Sequence, residues 1–361
     1  MSAKTIETKK SIYDILPYVG GKSGNDDKAI KLSSNEGPFG PSQKVIDAVQ
    51  KSADKLHLYP DGGCYDLRHA LSKKNNITAD NIVCGAGSDE IISLLCNAYV
   101  SEGDEVVYSE HGFLMYPIST RAAGGTPVAV SEKDLKAHVD GLLAAVTDKT
   151  KIVFIANPNN PTGSYLKKDE IKRLHDGLPD DVLLVLDAAY TEYVDEPDYT
   201  DGHEWVEGSK NIIVTRTFSK IYGLGGLRLG WGHMPDHVAD ILNRIRGPFN
   251  VSSIAQVAGL AALSDDEFVE KSVLHNKKCG AKTKAKLEEM GFTVYPSVAN
   301  FLLVECDTSD RADGICEHLK NKNIFIRQMG GYGLPTCLRV SIGTQAQMNL
   351  VLSAISDYIN A

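Results

Sequence analysis

The sequence predicts an α/β fold: a large domain on a mostly parallel sheet flanked by helices, a smaller α/β domain after it, and an N-terminal arm. Three observations carry this. Between about Asn81 and Trp231, short uninterrupted apolar runs rich in β-branched residues alternate with longer amphipathic stretches, the texture of strands buried on both faces. The stretches between them have helical spacing. Beyond Gly291 the runs become shorter and more mixed, which marks a second unit. A chain of 361 residues also exceeds what one core usually organises. The expected division is an arm at 1–34 counted with the small domain, a large domain at 35–270 and a small domain at 271–361.

In chain order, the first ~35 residues contain Leu16-Pro17-Tyr18-Val19-Gly20-Gly21, too broken for a core element, and form the arm. The strands of the large sheet are Ile82-Val83-Cys84, Val106-Val107-Tyr108, Ile152 to Ala156, Val182 to Leu186 and Ile212-Ile213-Val214. Glu90 to Tyr99, with Ile91, Ile92, Leu94, Leu95 and Ala98, has helical periodicity. Pro235-Asp236 opens a helix that Gly247-Pro248 closes, and another runs from about Asp265 to Met290. In the tail, Phe292–Tyr295, Phe301–Val304, Ile324–Arg327 and Leu338–Ile342 read as strands. Helices are expected near Arg311–Asn321 and Gln345–Asn360.

The composition narrows the function. Thirty-eight Lys and Arg against 47 Asp and Glu leave a net charge of −9, which argues against nucleic acid or an anionic membrane as partner. No apolar run approaches a membrane span, and Met1 to Lys10 is polar, without the core of a signal peptide. The seven cysteines are scattered and form no C-x-x-C. A disulfide framework or metal cluster is therefore not expected, and a cytoplasmic location is.

Several predicted strands end in polar or glycine-rich clusters, and the carboxyl edge of a parallel sheet is where ligands bind. After Cys84 comes Gly85-Ala86-Gly87-Ser88-Asp89-Glu90, whose free N–H groups at a helix start suit a phosphate; Ser88 capping its own helix fits the same residues. A dinucleotide fingerprint competes, but Glu90 stands where its third Gly belongs. After Ala156 comes Asn157-Pro158-Asn159-Asn160-Pro161-Thr162-Gly163, a loop stiffened by two prolines, longer than a plain turn requires. After Leu186 comes Asp187-Ala188-Ala189-Tyr190. A carboxylate ending an apolar strand is costly unless it meets a cation, although a helix cap is the simpler role. After Val214 comes Thr215-Arg216-Thr217-Phe218-Ser219-Lys220, followed by Gly223-Leu224-Gly225-Gly226-Leu227-Arg228. A lysine near Arg228 and a phosphate crevice can have the lowered pKa that an attacking amine needs.

Together these clusters describe one ligand. It has a phosphate for Ala86, Gly87, Ser88, Thr217, Ser219 and Arg228, and a protonatable ring nitrogen for Asp187. It also has a phenolic oxygen for Asn160 and Tyr190, and a carbonyl for Lys220. Pyridoxal 5'-phosphate has all four.

With Asn157 to Gly163, Asp187-Ala188-Ala189-Tyr190, Ser219-Lys220 and Gly226-Leu227-Arg228-Leu229-Gly230 in order, the sequence resembles the fold-type I pyridoxal-phosphate aminotransferases over nearly its whole length. Within them it is most similar to the histidinol-phosphate aminotransferases, on Leu32 to Ser42, Tyr59-Pro60-Asp61-Gly62, Arg327 and Leu338 to Gly343. The resemblance implies a seven-stranded large sheet and reversible transamination between L-histidinol phosphate and 2-oxoglutarate in histidine biosynthesis. It implies that Lys220 carries the cofactor and shuttles the substrate proton, and that Asp187 keeps the ring nitrogen protonated. Tyr190 and Asn160 bond the phenolic oxygen, Phe113 stacks on the ring, and Arg228, Thr217, Ser219 and the backbone at Ala86-Gly87 hold the phosphate. Tyr59 reaches the neighbouring subunit's cofactor, making the active unit a homodimer. Arg327, Arg339, Tyr18 and Asn35 are the candidates to hold the substrate's anion. Ala188 stands where the family often has Glu, which bears on the subgroup more than on the mechanism.

Other readings remain at this stage. An aromatic or broad-specificity aminotransferase, or a phospho-amino-acid decarboxylase, would share the cofactor site. An NAD-dependent oxidoreductase would use the glycine turns, both of which lack the third Gly. A non-catalytic regulator on the same fold would need a DNA-binding module, for which the arm is too short and not basic enough.

Overall fold

The computed structural model describes residues 6–22, 24 and 28–361; of the expected arm, residues 1–5, 23 and 25–27 lie outside the described residues. Thirteen strands follow one another among the described residues. They are β1 (Ile30–Lys31), β2 (Ile82–Gly85), β3 (Glu105–Ser109), β4 (Thr126–Val130), β5 (Thr150–Ala156), β6 (Leu183–Asp187), β7 (Ile212–Thr217) and β8 (Gly230–His233). The last five are β9 (Thr293–Val294), β10 (Phe301–Glu305), β11 (Ile324–Phe325), β12 (Arg327–Gln328) and β13 (Cys337–Ser341).

The large sheet has seven strands in the order β2-β8-β7-β6-β5-β3-β4. All neighbours are parallel except β8, which runs antiparallel to both β2 and β7. Alternate side chains of the central strands enter different cores. Ile152 and Phe154 pack with Ile91, Ile92 and Val185 on one face, whereas Val153 and Ile155 pack with Ile171, Leu174 and Leu184 on the other. This double burial is why those strands appear in the sequence as unbroken apolar runs. Two strands gave no such run. β4 is an edge strand with no buried residue, Thr126 and Ala129 being exposed, and β8 is Gly-Trp-Gly-His, buried but short of β-branched residues.

The second sheet, β12-β13-β10-β9, is antiparallel and has its own core under helices Ser309–Asn321 and Gln345–Ile359. β1 pairs in parallel with β11, Ile30 opposite Ile324, in a separate two-stranded sheet that ties the N-terminal stretch to the C-terminal part of the chain. The single strand expected over Ile324–Arg327 is two: Ile326 separates β11, which pairs with β1, from β12, which pairs with β13. The helices starting at Ser88, Asp236, Asp266, Ser309 and Gln345 lie within a few residues of their expected bounds. No helix among the described residues is long and apolar enough to cross a membrane. All seven cysteine thiols are free, and six are buried.

Leu184 is fully buried at the centre of the large sheet, opposite Val153 and Ile212. Leu184→Ala should cost about 2–5 kcal/mol through lost burial and the cavity it leaves, measured as a fall in the urea unfolding midpoint.

Candidate active site

The carboxyl ends of β2, β5, β6 and β7 converge on a cavity of about 560 Å³. Its walls include Asn160, Asp187, Tyr190, Thr217, Ser219, Lys220 and Arg228 from the large sheet, with Arg327 and Arg339 from the second sheet. Phe113, Ser88, Tyr18 and Asn35 also face it. Most of the residues singled out from the sequence therefore meet in one place.

One end of the cavity suits an anion. Arg228 has a left-handed backbone (φ 53°) and donates to Asp89 Oδ2 at 3.0 Å and to the Gly225 carbonyl at 3.0 Å. Thr217 Oγ1 donates to Ser219 Oγ at 3.0 Å and accepts from the Ser219 amide at 3.1 Å. The helix Ser88–Tyr99 points its N-terminus here, and no side chain caps it, so its dipole and unpaired N–H groups remain available to an anion. A Cβ on Gly87, where φ is +90°, would lie 2.4 Å from an Arg228 guanidinium nitrogen. A Cβ on Gly230 would lie 2.3 Å from the Ser88 amide nitrogen. Both glycines thus let arginine, loop and strand close up. Ala86 behaves differently from expectation: its amide donates to the Glu90 carboxylate at 2.6 Å, so that N–H is already committed within the loop.

Asp187, also in the cavity wall, is 5% exposed. Tyr116 donates to its Oδ2 and Thr215 to its Oδ1, each at 3.0 Å, and it makes no ion pair among the described residues. Burial raises its carboxyl to about pKa 6, against the two donors. Lys220 lines the same cavity. Its Nζ donates to the Ser34 carbonyl at 3.2 Å and stands 5.6 Å from the centre of the Tyr190 ring. Burial, reinforced by the positive charge of Arg339, lowers the amine to about pKa 8. Tyr190 accepts a hydrogen bond from Asn35 Nδ2 at 2.9 Å, and burial pushes its phenol up to about 12.

Arg327 and Arg339 are directly opposite each other across β12 and β13. Arg339 is 2% exposed; it donates to Asn160 Oδ1 and, at 2.8 Å, to the Ser33 carbonyl, while its buried Nε has no partner. Arg327 donates to the Val19 carbonyl at 3.0 Å and lies over the rings of Tyr18 and Tyr332. Asn35 is fully engaged, accepting from Ser341 Oγ at Oδ1 (3.1 Å) while it donates to Tyr190. Phe113 is set by its loop: Ser109 and His111 both bond the Glu132 carboxylate, at 2.5 and 2.9 Å, and Asn159 donates to the His111 carbonyl at 3.3 Å. Tyr59 lies away from this cavity, 83% exposed and stacked on Phe249 at 4.8 Å.

The chain matches the family model for aminotransferase class I and II over residues 27–355. It belongs to that family. This aminotransferase is 52% identical over 357 residues to the histidinol-phosphate aminotransferase of Paramagnetospirillum magneticum, covering 98% of each chain. It is 49% identical to that of Rhodospirillum centenum, covering 96% of this chain and 97% of the other. Among solved structures, the histidinol-phosphate aminotransferase of Sinorhizobium meliloti, in complex with pyridoxal-5'-phosphate, superposes with a TM-score of 0.91 at 30% identity, covering 99% of both chains. The fold is thus that of the fold-type I aminotransferases.

Three residues of the site escaped the sequence reading. Thr215 opens the cluster Thr215 to Lys220 but carried no assigned role, and Tyr116, three after Phe113, stands outside any motif. Tyr332 belongs to a glycine-flanked turn with no motif of its own. Alternation along β7 was the available signal for Thr215, since residues two apart on a strand share a face.

The two perturbed groups predict opposite pH responses. Asp187 holds its proton to about pH 6 when folded, against 3.8 ordinarily, so the folded chain binds more protons between those values. On this account the cofactor-free protein loses stability as pH rises from about 4 to about 6. Lys220 releases its proton near 8 instead of 10.5, so its penalty is relieved as pH climbs from about 8 to about 10. Thermal unfolding of cofactor-free protein across this range should show both limbs, the lower flattened by Asp187→Asn and the upper by Lys220→Met.

Proposed function

We propose that this aminotransferase uses pyridoxal 5'-phosphate to move an amino group reversibly between L-histidinol phosphate and 2-oxoglutarate, giving imidazole acetol phosphate and glutamate. The identity of about half the residues, end to end, with enzymes named for that reaction carries the reading. The reaction belongs to histidine biosynthesis, and we place it in the cytoplasm. The division of labour follows an arm (1–34), a cofactor-binding large domain (35–270) and a small domain (271–361).

The residues fit the cofactor. Arg228, Thr217, Ser219 and the loop Ala86-Gly87-Ser88 would hold its phosphate, with the open helix N-terminus adding N–H donors. Asp187, a buried carboxylate bonded only to neutral hydroxyls, would gain a cation in the ring nitrogen. Asn160 and Tyr190 would bond the phenolic oxygen, and Phe113 would cover the ring. When bound, pyridoxal phosphate supplies an aldehyde for amines and a protonated ring that accepts the electrons released at the substrate Cα. Lys220 is suited to take the proton from that Cα: with a pKa of about 8, roughly a tenth of it is neutral at pH 7.

Arg327 and Arg339 would hold the substrate's anion, phosphate in one half-reaction and carboxylate in the other, because a guanidinium fork suits both. Tyr18 and Asn35 complete that wall. Tyr59, with exposed Leu56, Leu58 and Tyr65 beside it, would serve the neighbouring subunit of a homodimer.

Purified protein with pyridoxal phosphate should show a visible absorption band that glutamate bleaches. Lys220→Ala should lose the band and at least about a thousandfold in kcat. Turnover of histidinol phosphate with 2-oxoglutarate should exceed that of phenylalanine; the reverse order would favour an aromatic or broad-specificity aminotransferase.

A further inference from the structure

Tyr116 is a buried titratable group that the proposed roles leave unused. It follows Phe113 by one turn at the start of the helix Met115–Ala123, its amide donating to the Phe113 carbonyl at 3.0 Å. Its side chain is fully buried, stacked on Phe154 at 4.6 Å with planes 3° apart and set edge-on to Phe113 at 5.9 Å. The phenol is thereby fixed with its hydroxyl on Asp187 Oδ2 at 3.0 Å. Thr215 takes Oδ1, also at 3.0 Å. Neither Tyr116 nor Thr215 lines the cavity, so a ligand does not displace them.

We propose that Tyr116 is a positioning residue that keeps the proton shared by Asp187 and the cofactor's ring nitrogen on the nitrogen. The inference rests on the reading of the cavity as a pyridoxal phosphate site. A proton between a carboxylate and a pyridine can sit on either, and donors aimed at the carboxylate favour its charged form. A hydrogen bond to a charged group is worth about tenfold to a hundredfold in that equilibrium. The donor is permanent, because burial and the Asp187 charge hold the phenol well above its ordinary pKa. The other groups acting on this pair are Asp89 and Lys220 on the carboxyl, and Tyr190 and Tyr332 on the phenol. A change at the hydroxyl alone leaves all of them in place.

Tyr116→Phe removes one oxygen and keeps the ring packing. In cofactor-free protein, the stability decline that Asp187 causes should move up by about one pH unit or more and vanish when Asp187→Asn is added. Replacing Tyr116 with 3-fluorotyrosine, a stronger donor of nearly the same shape, should move the midpoint the opposite way; a merely structural phenol would not respond with opposite signs. In the holoenzyme, Tyr116→Phe should weaken pyridoxal phosphate binding about tenfold and lower kcat with little change in KM for 2-oxoglutarate. An unmoved midpoint with wild-type cofactor affinity would overturn the inference. Wild-type protein that fails to take up pyridoxal phosphate would instead overturn the functional reading, and the cofactor-free midpoints would still decide whether Tyr116 governs the Asp187 proton.

Discussion

The structure is organised around a carboxylate buried to all but 5% of its surface at the floor of the cavity. β6 is buried along its whole length and ends in Asp187. Burying a negative charge is costly, and two hydroxyl donors offset only part of that cost. The arrangement makes sense for a site that receives a cation, and the surrounding architecture serves to hold that site. Parallel pairing of β5, β6 and β7 brings Ala156, Asp187 and Thr215 level with one another. The loops that follow then diverge around a common space.

Charge is concentrated in the same space against the trend of the chain. The protein as a whole is acidic, yet Lys220, Arg228, Arg327 and Arg339 all face one cavity. Their neighbourhood explains the lowered pKa of Lys220: burial first, then the guanidinium of Arg339. A surface with little attraction for polyanions thus encloses a pocket suited to small ones.

The legible part of the fold was the part buried on two sides. Strands such as Ile152–Ala156 leave an apolar run because both faces meet helices, whereas the edge strand Thr126–Val130 and Gly230–His233 leave none. The split at Ile326 was equally hidden, since a change of pairing partner does not alter the hydrophobic pattern. In the site, residues within compact motifs could be read in order along the chain. The roles of Tyr116, Thr215 and Tyr332 could not, because what sets them is tertiary: a phenol one helical turn from a loop, a threonine on one face of a strand, a tyrosine in a turn of the second sheet. Ala86 shows the converse, a motif residue whose amide is claimed by Glu90.

Asn35 ties these levels together. Its side-chain amide donates to Tyr190, just past the end of β6, its own N–H donates to Ser341 Oγ of β13 at 2.9 Å, and its carbonyl accepts from Asn300, just before β10, at 3.0 Å. One residue, by side chain and backbone together, therefore links the two sheets through the oxygen of Tyr190. Any swing of the C-terminal sheet against the larger one would have to stretch or break the Asn35–Tyr190 hydrogen bond.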